Sequence, residues 1–192
     1  MTEAYPRPAV TAVLSVADMR RSDAYTIEHF TDSKTLMARA GQGLFEACKW
    51  HGRVAVVCGS GNNAGDGYVL AALLAEAGID VHIILLVEKF SPDGAYFFAR
   101  ARARGVPASL WEAGADLRGY DCIADCIFGT GFHGEVRGAA ADAIRAINGS
   151  GAFVVSADIN SGMNGDNGEG DLCVVSSLTV SSGFYQPGHF RG

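Results

Sequence analysis

The chain has no strongly basic stretch. Its formal net charge is −6, and its densest cationic run, Arg100, Arg102 and Arg104, alternates along an expected helix and so shares no single face. That excludes the nucleic-acid binders, which draw much of their affinity from cations on phosphate. A nucleotide held here must rest mainly on backbone amides. The five cysteines are odd in number and form no C-x-x-C pair, which excludes a disulfide framework and a zinc ribbon. Reduced, buried thiols are expected instead. No apolar run reaches the length of a membrane span. The amino end lacks a basic region followed by an apolar run and a cleavage site. A cytoplasmic location with no membrane contact is therefore expected. Also missing are the G-x-x-x-x-G-K-[ST] phosphate loop, a G-x-S-x-G elbow around Ser60, and any metal-like spacing among His29, His51, His82 and His189.

What remains is rich in apolar residues, 48% against 19% charged, enough for a packed core over 192 residues. One domain spanning 1–192 is expected. Residues 1 to about 13 contain prolines and read as extended. Helices are expected over Asp18–Phe30 and, from a cap at Asp32 or Ser33, over a segment carrying Leu36, Met37, Ala40, Leu44, Phe45 and Ala47. Short continuous apolar runs then alternate with helical stretches. Strands are expected at Val54–Cys58, Val81–Val87, Ala108–Trp111, Cys122–Phe128, Phe153–Asp158 and Leu172–Val180. Helices are expected at Asp66–Ala77, Pro92–Arg104 and Ala139–Asn148. This order predicts an α/β fold: three αβα layers, Rossmann-like, with a mostly parallel sheet preceded by N-terminal helices.

In such sheets ligands bind beyond the carboxyl ends of the strands. Three segments there carry chemistry. Gly59 to Gly67 holds four glycines, two asparagines and Asp66. Glycines admit close approach to phosphate, the next helix offers free amides, and Asn62 and Asn63 tolerate left-handed backbone. Asp125 to Glu135 begins with a carboxylate near the end of a buried strand, costly unless paired, hydrogen-bonded or bound to a cation. Ser156 to Gly162 repeats that placement at Asp158, with Ser161 three residues later. Cys126, following Asp125, has its thiol pKa raised and is not activated.

The segment Gly61-Asn62-Asn63-Ala64-Gly65-Asp66-Gly67 resembles the G-N-N-G-G-D-G signature of the NAD(P)H-hydrate epimerases, the family of the YjeF N-terminal domain. Asp125 to Gly131 resembles its D-x-x-F-G-T-G segment, and Asp158 to Gly162 its D-I-P-S-G segment. Met19-Arg20 with Asp23, then Leu36-Met37 and Ala40-Gly41, resembles its helical N-terminal part, and Leu178-Thr179-Val180 its late strand. The resemblance implies epimerisation of hydrated NADH or NADPH, with a dehydratase as functional partner. It implies substrate contacts from Asn62, Asn63, Ala64, Gly65 and Asp66, from Gly129, Thr130, Gly131, Phe132, His133, Gly134 and Glu135, and from Asp158. It implies a potassium ion (K+) on Asn63, Asp125 and Ser161, all oxygen donors suited to a hard cation. Asp125 and Asp158 are the candidate acid and base.

Two other readings stay open. Gly59, Gly61 and Ala64 satisfy the loose G-x-G-x-x-G/A fingerprint, with Glu88 placed for a ribose, as in a dehydrogenase. A binding or scaffold module of the same fold is the other. Leu36, Phe45 and Trp50 are read as packing on the sheet, with a homodimer surface as the alternative. The chain departs from the family at Ala64, at His133 in place of Lys or Arg, at Gln186 in place of Lys, and at Asn160 in place of Pro. The last is expected to loosen its turn.

Overall fold

In the computed structural model, which describes residues 12–191, the elements run α1 (Val16–His29), α2 (Ser33–Glu46), β1 (Arg53–Cys58), α3 (Asn62–Glu76), β2 (Asp80–Leu85), α4 (Pro92–Ala103), β3 (Ala108–Leu110), β4 (Cys122–Cys126), α5 (Gly138–Asn148), β5 (Phe153–Ala157) and β6 (Leu178–Val180), closed by a 3-10 helix at Pro187–Phe190. The expected extended segment at the amino end falls mostly outside the described residues. Within them, Val13 bridges Tyr185.

The strands are ordered β3-β2-β1-β4-β5-β6, and every pairing is parallel. Helices cover both faces, as parallel sheets require. Successive strand residues point to opposite faces. Val54, Val56 and Cys58 join the core beneath α2, α3 and α4. Ala55 and Val57 join the core on the side of α5, with Ile144 and Ile147. The α/β, Rossmann-like three-layer expectation is met.

Three helices begin on a short polar side chain. Ser15 Oγ accepts the Asp18 amide at 3.1 Å, Asp32 Oδ1 the Thr35 amide at 2.9 Å, and Ser91 Oγ the Gly94 amide at 3.1 Å. Each satisfies an amide that a first helical turn leaves unpaired. Helix α3 has no such cap: Gly61 precedes it and accepts nothing through a side chain.

Helix α3 also starts four residues earlier than expected. Asn62 and Asn63 are helical, and none of Gly59, Gly61, Gly65 or Gly67 has positive φ. Gly59, Gly65 and Gly67 serve proximity rather than turning, whereas a Cβ on Gly61 would meet nothing within 4 Å. A Cβ on Gly59 would lie 2.2 Å from the Ile127 carbonyl oxygen, and one on Gly67 would lie 2.9 Å from Cys126 Sγ. The helix is thereby drawn tight against β4 and the segment after it. Strand β4 stops at Cys126 because the Asp125 carboxylate accepts the Ile127 amide. The long strand expected over Leu172–Val180 shrinks to β6. Val174 N–H donates to the Ser161 carbonyl and Val175 N–H to Asn148 Oδ1, so those amides leave the ladder.

Helix α2 packs on α3 rather than on the sheet. A Cβ on Gly41 would lie 2.4 Å from Val69 Cβ and 2.9 Å from the Asp66 carbonyl oxygen. Of the residues weighed for a dimer surface, Trp50 is buried with its indole N–H on the Phe45 carbonyl at 3.1 Å. Phe45 packs on the core, and Leu36 turns to the cleft described below. Because Val69 is branched at Cβ and cannot swing clear, Gly41→Ala is expected to destabilise the fold by about 1–3 kcal/mol. Urea unfolding checks this; an unchanged midpoint would contradict the close α2–α3 contact.

Candidate functional site

A cleft of about 820 Å³ lies beyond the carboxyl ends of the strands. Helices α1 and α2 form one wall. Ser60, Gly61 and the start of α3 lie on another side. Residues 127–132, Asp158 and the 180–183 segment complete it. Of the expected substrate residues, Asn62, Asn63, Asp66, Gly129, Thr130, Gly131, Phe132 and Asp158 line the cleft. Ala64 and Gly65 do not: they are buried, with Gly65 against Met37. His133, Gly134 and Glu135 face a separate recess of about 260 Å³, sharing only Phe132 with the main cleft. His133 is exposed there, and Glu135 accepts from Arg137 Nε at 3.0 Å.

The uncapped start of α3 opens onto this space. Its free amides and the positive end of the helix dipole favour an anion. Phe128 and Phe132 stack with centroids 4.4 Å apart at 20°, a flat apolar pair on the opposing loop. Arg20 reaches across that loop, its Nη2 3.4 Å from the Gly131 carbonyl oxygen. Arg39 adds a second cation from α2.

Asp158 is fixed. Its Oδ2 accepts the Thr130 amide at 2.7 Å. A Cβ on Gly129 would sit 2.7 Å from that same oxygen, so a larger residue there would displace the carboxylate. Asp158 is also the one non-glycine residue with positive φ, 66°, among the described residues. Asp66 and Asp23 share the cleft with it. Burial raises the Asp66 carboxyl well above the ordinary range, and the charges of Asp158 and Asp23 raise it further. Burial, then Asp158, raises Asp23 as well.

Asp125 does not line the cleft, contrary to its expected place as an acid or base. It is fully buried and its oxygens are occupied. Oδ2 accepts from Ser156 Oγ at 2.8 Å and from the Ser161 amide at 2.9 Å; Oδ1 accepts from Ser161 Oγ at 2.5 Å. Burial raises its pKa, and these bonds oppose the rise. Ser161 Oγ in turn receives the Phe128 amide at 2.8 Å. Asn63 is buried nearby, next to Gly129, and neither its Oδ1 nor its Nδ2 has a hydrogen-bond partner. Among the described residues no group of three or more His, Cys, Asp or Glu could hold a metal.

Asn160 ties its turn down instead of loosening it. Its Nδ2 donates to the Val174 carbonyl at 2.8 Å and its Oδ1 accepts from Thr179 Oγ1 at 2.6 Å. Glu88, the ribose contact of a dehydrogenase, is exposed and lies outside the cleft. Sequence reasoning missed Asp93 and Arg39 as cleft residues and did not single out Ile27 for it. The spacing of Met19, Asp23 and Ile27, four apart on one helical face, was the available signal for α1.

The fold and cleft define a Rossmann-like domain with a nucleotide-sized cleft at the strand ends. The chain belongs to the YjeF N-terminal family, whose sequence model, described as YjeF-related protein N-terminus, matches residues 33–188. It is 35% identical over 161 residues to an NAD(P)H-hydrate epimerase of Rhodopirellula baltica, covering 79% of this chain and 66% of that protein. It is 32% identical over 181 residues to an NAD(P)H-hydrate epimerase of Limosilactobacillus fermentum, covering 91% and 87%. A bifunctional NAD(P)H-hydrate repair enzyme of Coxiella burnetii is 32% identical over 179 residues, 90% of this chain but 36% of its own length. The chain thus spans little more than a third of that relative. The crystal structure of yeast ynu0 superposes with a TM-score of 0.82 at 22% identity, over 93% of this chain and 83% of that one, and shows the same fold. No helix among the described residues is long and apolar enough to cross a membrane.

The raised Asp66 carboxyl has a consequence for stability. A carboxyl that binds its proton more tightly folded than unfolded adds stability below its unfolded pKa, and loses it as pH rises through the folded value. Asp66→Asn removes that loss. The variant is expected to melt higher than the parent at neutral pH and to converge with it in acid. A parent that melts higher at neutral pH would show that Asp66 is a paired anion.

Proposed function

We propose that this chain interconverts the R and S epimers of hydrated NADH and NADPH at the hydrated carbon of the nicotinamide ring, a step of nicotinamide nucleotide repair. A dehydratase specific for the S epimer is its functional partner, and the cytoplasm its location. The observation that carries this reading is one cleft holding an uncapped helix start beside two carboxyls of opposed character. Asp158 is fixed by the Thr130 amide. Asp66 is held toward its neutral form by burial and by its neighbours' charge.

Those features divide the substrate between them. The diphosphate belongs at the α3 amides, with Arg20 and Arg39 balancing its charge. A charged Asp66, one turn into that helix and in the same cleft, would repel phosphate; a protonated one does not. The Phe128–Phe132 pair suits a planar ring. Epimerisation then needs a proton delivered and a proton withdrawn. Asp66 gives its proton to the departing hydroxyl, which leaves as water while the ring nitrogen's electron pair forms the C=N bond. Water adds to the other face and passes a proton to Asp158. The two carboxyls re-equilibrate through solvent, leaving no net proton change. Asp125, without access to the cleft, holds the loop that positions Asp158.

The residues also fit a potassium ion. Asn63 supplies a buried amide oxygen lacking a partner, and Asp125 and Ser161 would add a carboxylate and a hydroxyl, hard donors such an ion takes, by giving up part of their bonding to each other. Bound there, K+ would supply positive charge that balances Asp125 and ties the loop after β4 to α3. The dehydrogenase reading lacks its ribose carboxylate, since Glu88 lies outside the cleft.

The test supplies the R epimer together with an S-specific dehydratase. Purified protein is expected to speed consumption beyond the enzyme-free rate; equal rates sink the epimerase reading. Asp158→Asn and Asp66→Asn are each expected to lower kcat by about 10²–10⁴-fold, and retained turnover in either removes that residue from its role. Replacing K+ with tetramethylammonium is expected to lower the melting temperature, because an ion bound only to the folded state stabilises it. A midpoint indifferent to K+ contradicts the ion assignment.

A further inference from the structure

Asp158 ends β5 in an unfavourable conformation. Its φ is 66°, and the Ile159 amide donates to the Ala157 carbonyl at 2.8 Å across it. A three-residue turn of this sense is rare and strained, and persists only where the surroundings enforce it. Two neighbours are the Thr130 amide on the carboxylate and the Val180 carbonyl, which accepts the Asp158 amide at 2.8 Å. The third comes from the far end of the chain. His189 Nε2 lies 2.8 Å from the Asp158 carbonyl oxygen.

That contact sets the imidazole's tautomer. Nε2 faces a carbonyl oxygen, which only accepts, so Nε2 carries the hydrogen. Nδ1 lies 3.0 Å from the Gln186 amide, its donor in the Nε2–H tautomer, and 3.2 Å from the Gln186 carbonyl oxygen. The ring is held in place. Tyr185 meets it edge-on at 5.5 Å. The 3-10 helix that carries it is docked by the Gly188 amide on the Gly165 carbonyl at 2.8 Å. A Cβ on Gly188 would lie 2.5 Å from the Asn164 carbonyl oxygen, so the docking is close.

We propose that His189 is a positioning residue, whose Nε2–H bond to the Asp158 carbonyl holds the backbone turn that aims the Asp158 carboxylate at the Thr130 amide and the cleft. The catalytic consequence rests on the epimerase reading; the structural one does not.

Two measurements test it together. In 15N-resolved NMR spectra His189 is expected as the Nε2–H tautomer. In folded His189→Ala, the Thr130 and Asp158 amide resonances are expected to move while that of Ile83, remote in β2, stays in place. In the coupled assay the same variant is expected to lose about tenfold or more in kcat, as small misplacements of reacting groups do, with KM nearly unchanged. His189→Gln, whose amide nitrogen can reach the same carbonyl, is expected to recover part of the loss, and Arg191→Ala, just past the same 3-10 helix, to lose nothing. Unmoved Thr130 and Asp158 resonances overturn the proposal. So does a lowered melting temperature with kcat intact, or a glutamine variant no better than alanine. If the parent protein shows no epimerisation but the resonances move, the epimerase reading fails and the positioning role stands.

Discussion

A fully buried carboxylate is the constraint on which the site depends. Asp125 ends β4 with no access to solvent, and leaving it unpaired there would cost several kcal/mol, on the order of any buried uncompensated ion. The chain answers with donors from two other segments. Ser156 comes from β5, and Ser161 gives both its amide and its hydroxyl from the turn beyond. The same hydroxyl receives the Phe128 amide. One carboxylate thus fixes the ends of two neighbouring strands and the start of the loop that carries Gly129 and Thr130. That loop presents the amide that holds Asp158. The residue that faces the cleft is placed by one that does not line it.

Close helix packing provides the second support. Glycines at 59 and 67 bring α3 against the segment after β4 and against β4 itself, and Gly41 brings α2 against α3. The uncapped amino end of α3 and the Asp158 carboxylate consequently share a single cleft. This closeness has an electrostatic result. Burial raises the proton affinity of Asp66 and of Asp23, the charge of Asp158 adds to both, and that of Asp23 adds to Asp66. Three acidic side chains beside an anion-binding helix end would oppose each other if all were charged. A proton on Asp66 removes the conflict and leaves an acid where the proposed reaction uses one.

Much of the fold was legible because its signals are local. Apolar runs such as Val54–Cys58 can only be buried strands, and their alternation with helical stretches dictates parallel pairing. Asp32 announces a helix start through its bond to the amide three residues on; the matching caps at Ser15 and Ser91 emerged from the structure. The errors fell where a residue's partner is distant. Asn62 and Asn63 looked like loop residues because four glycines surround them; three of those glycines instead answer to Met37, Ile127 and Cys126, which no local pattern reveals. The 172–177 segment has strand composition, but Ser161 and Asn148 take its amides.

The sequence by itself determined the layer architecture, through the alternation of apolar strand runs with helical stretches, and the family, through its motifs at 61–67, 125–131 and 158–162; the strand order came from the folded chain. Tertiary structure decided which of two similar aspartates faces the cleft. Asp125 and Asp158 both follow buried strand residues, and no rule of spacing separates them. Asp125 points to Ser156 and Ser161 within the protein; Asp158, turned by a positive φ and held from Val180, Thr130 and His189, points outward. That difference lies in contacts 22 to 36 residues away along the chain, and only the folded chain brings them together.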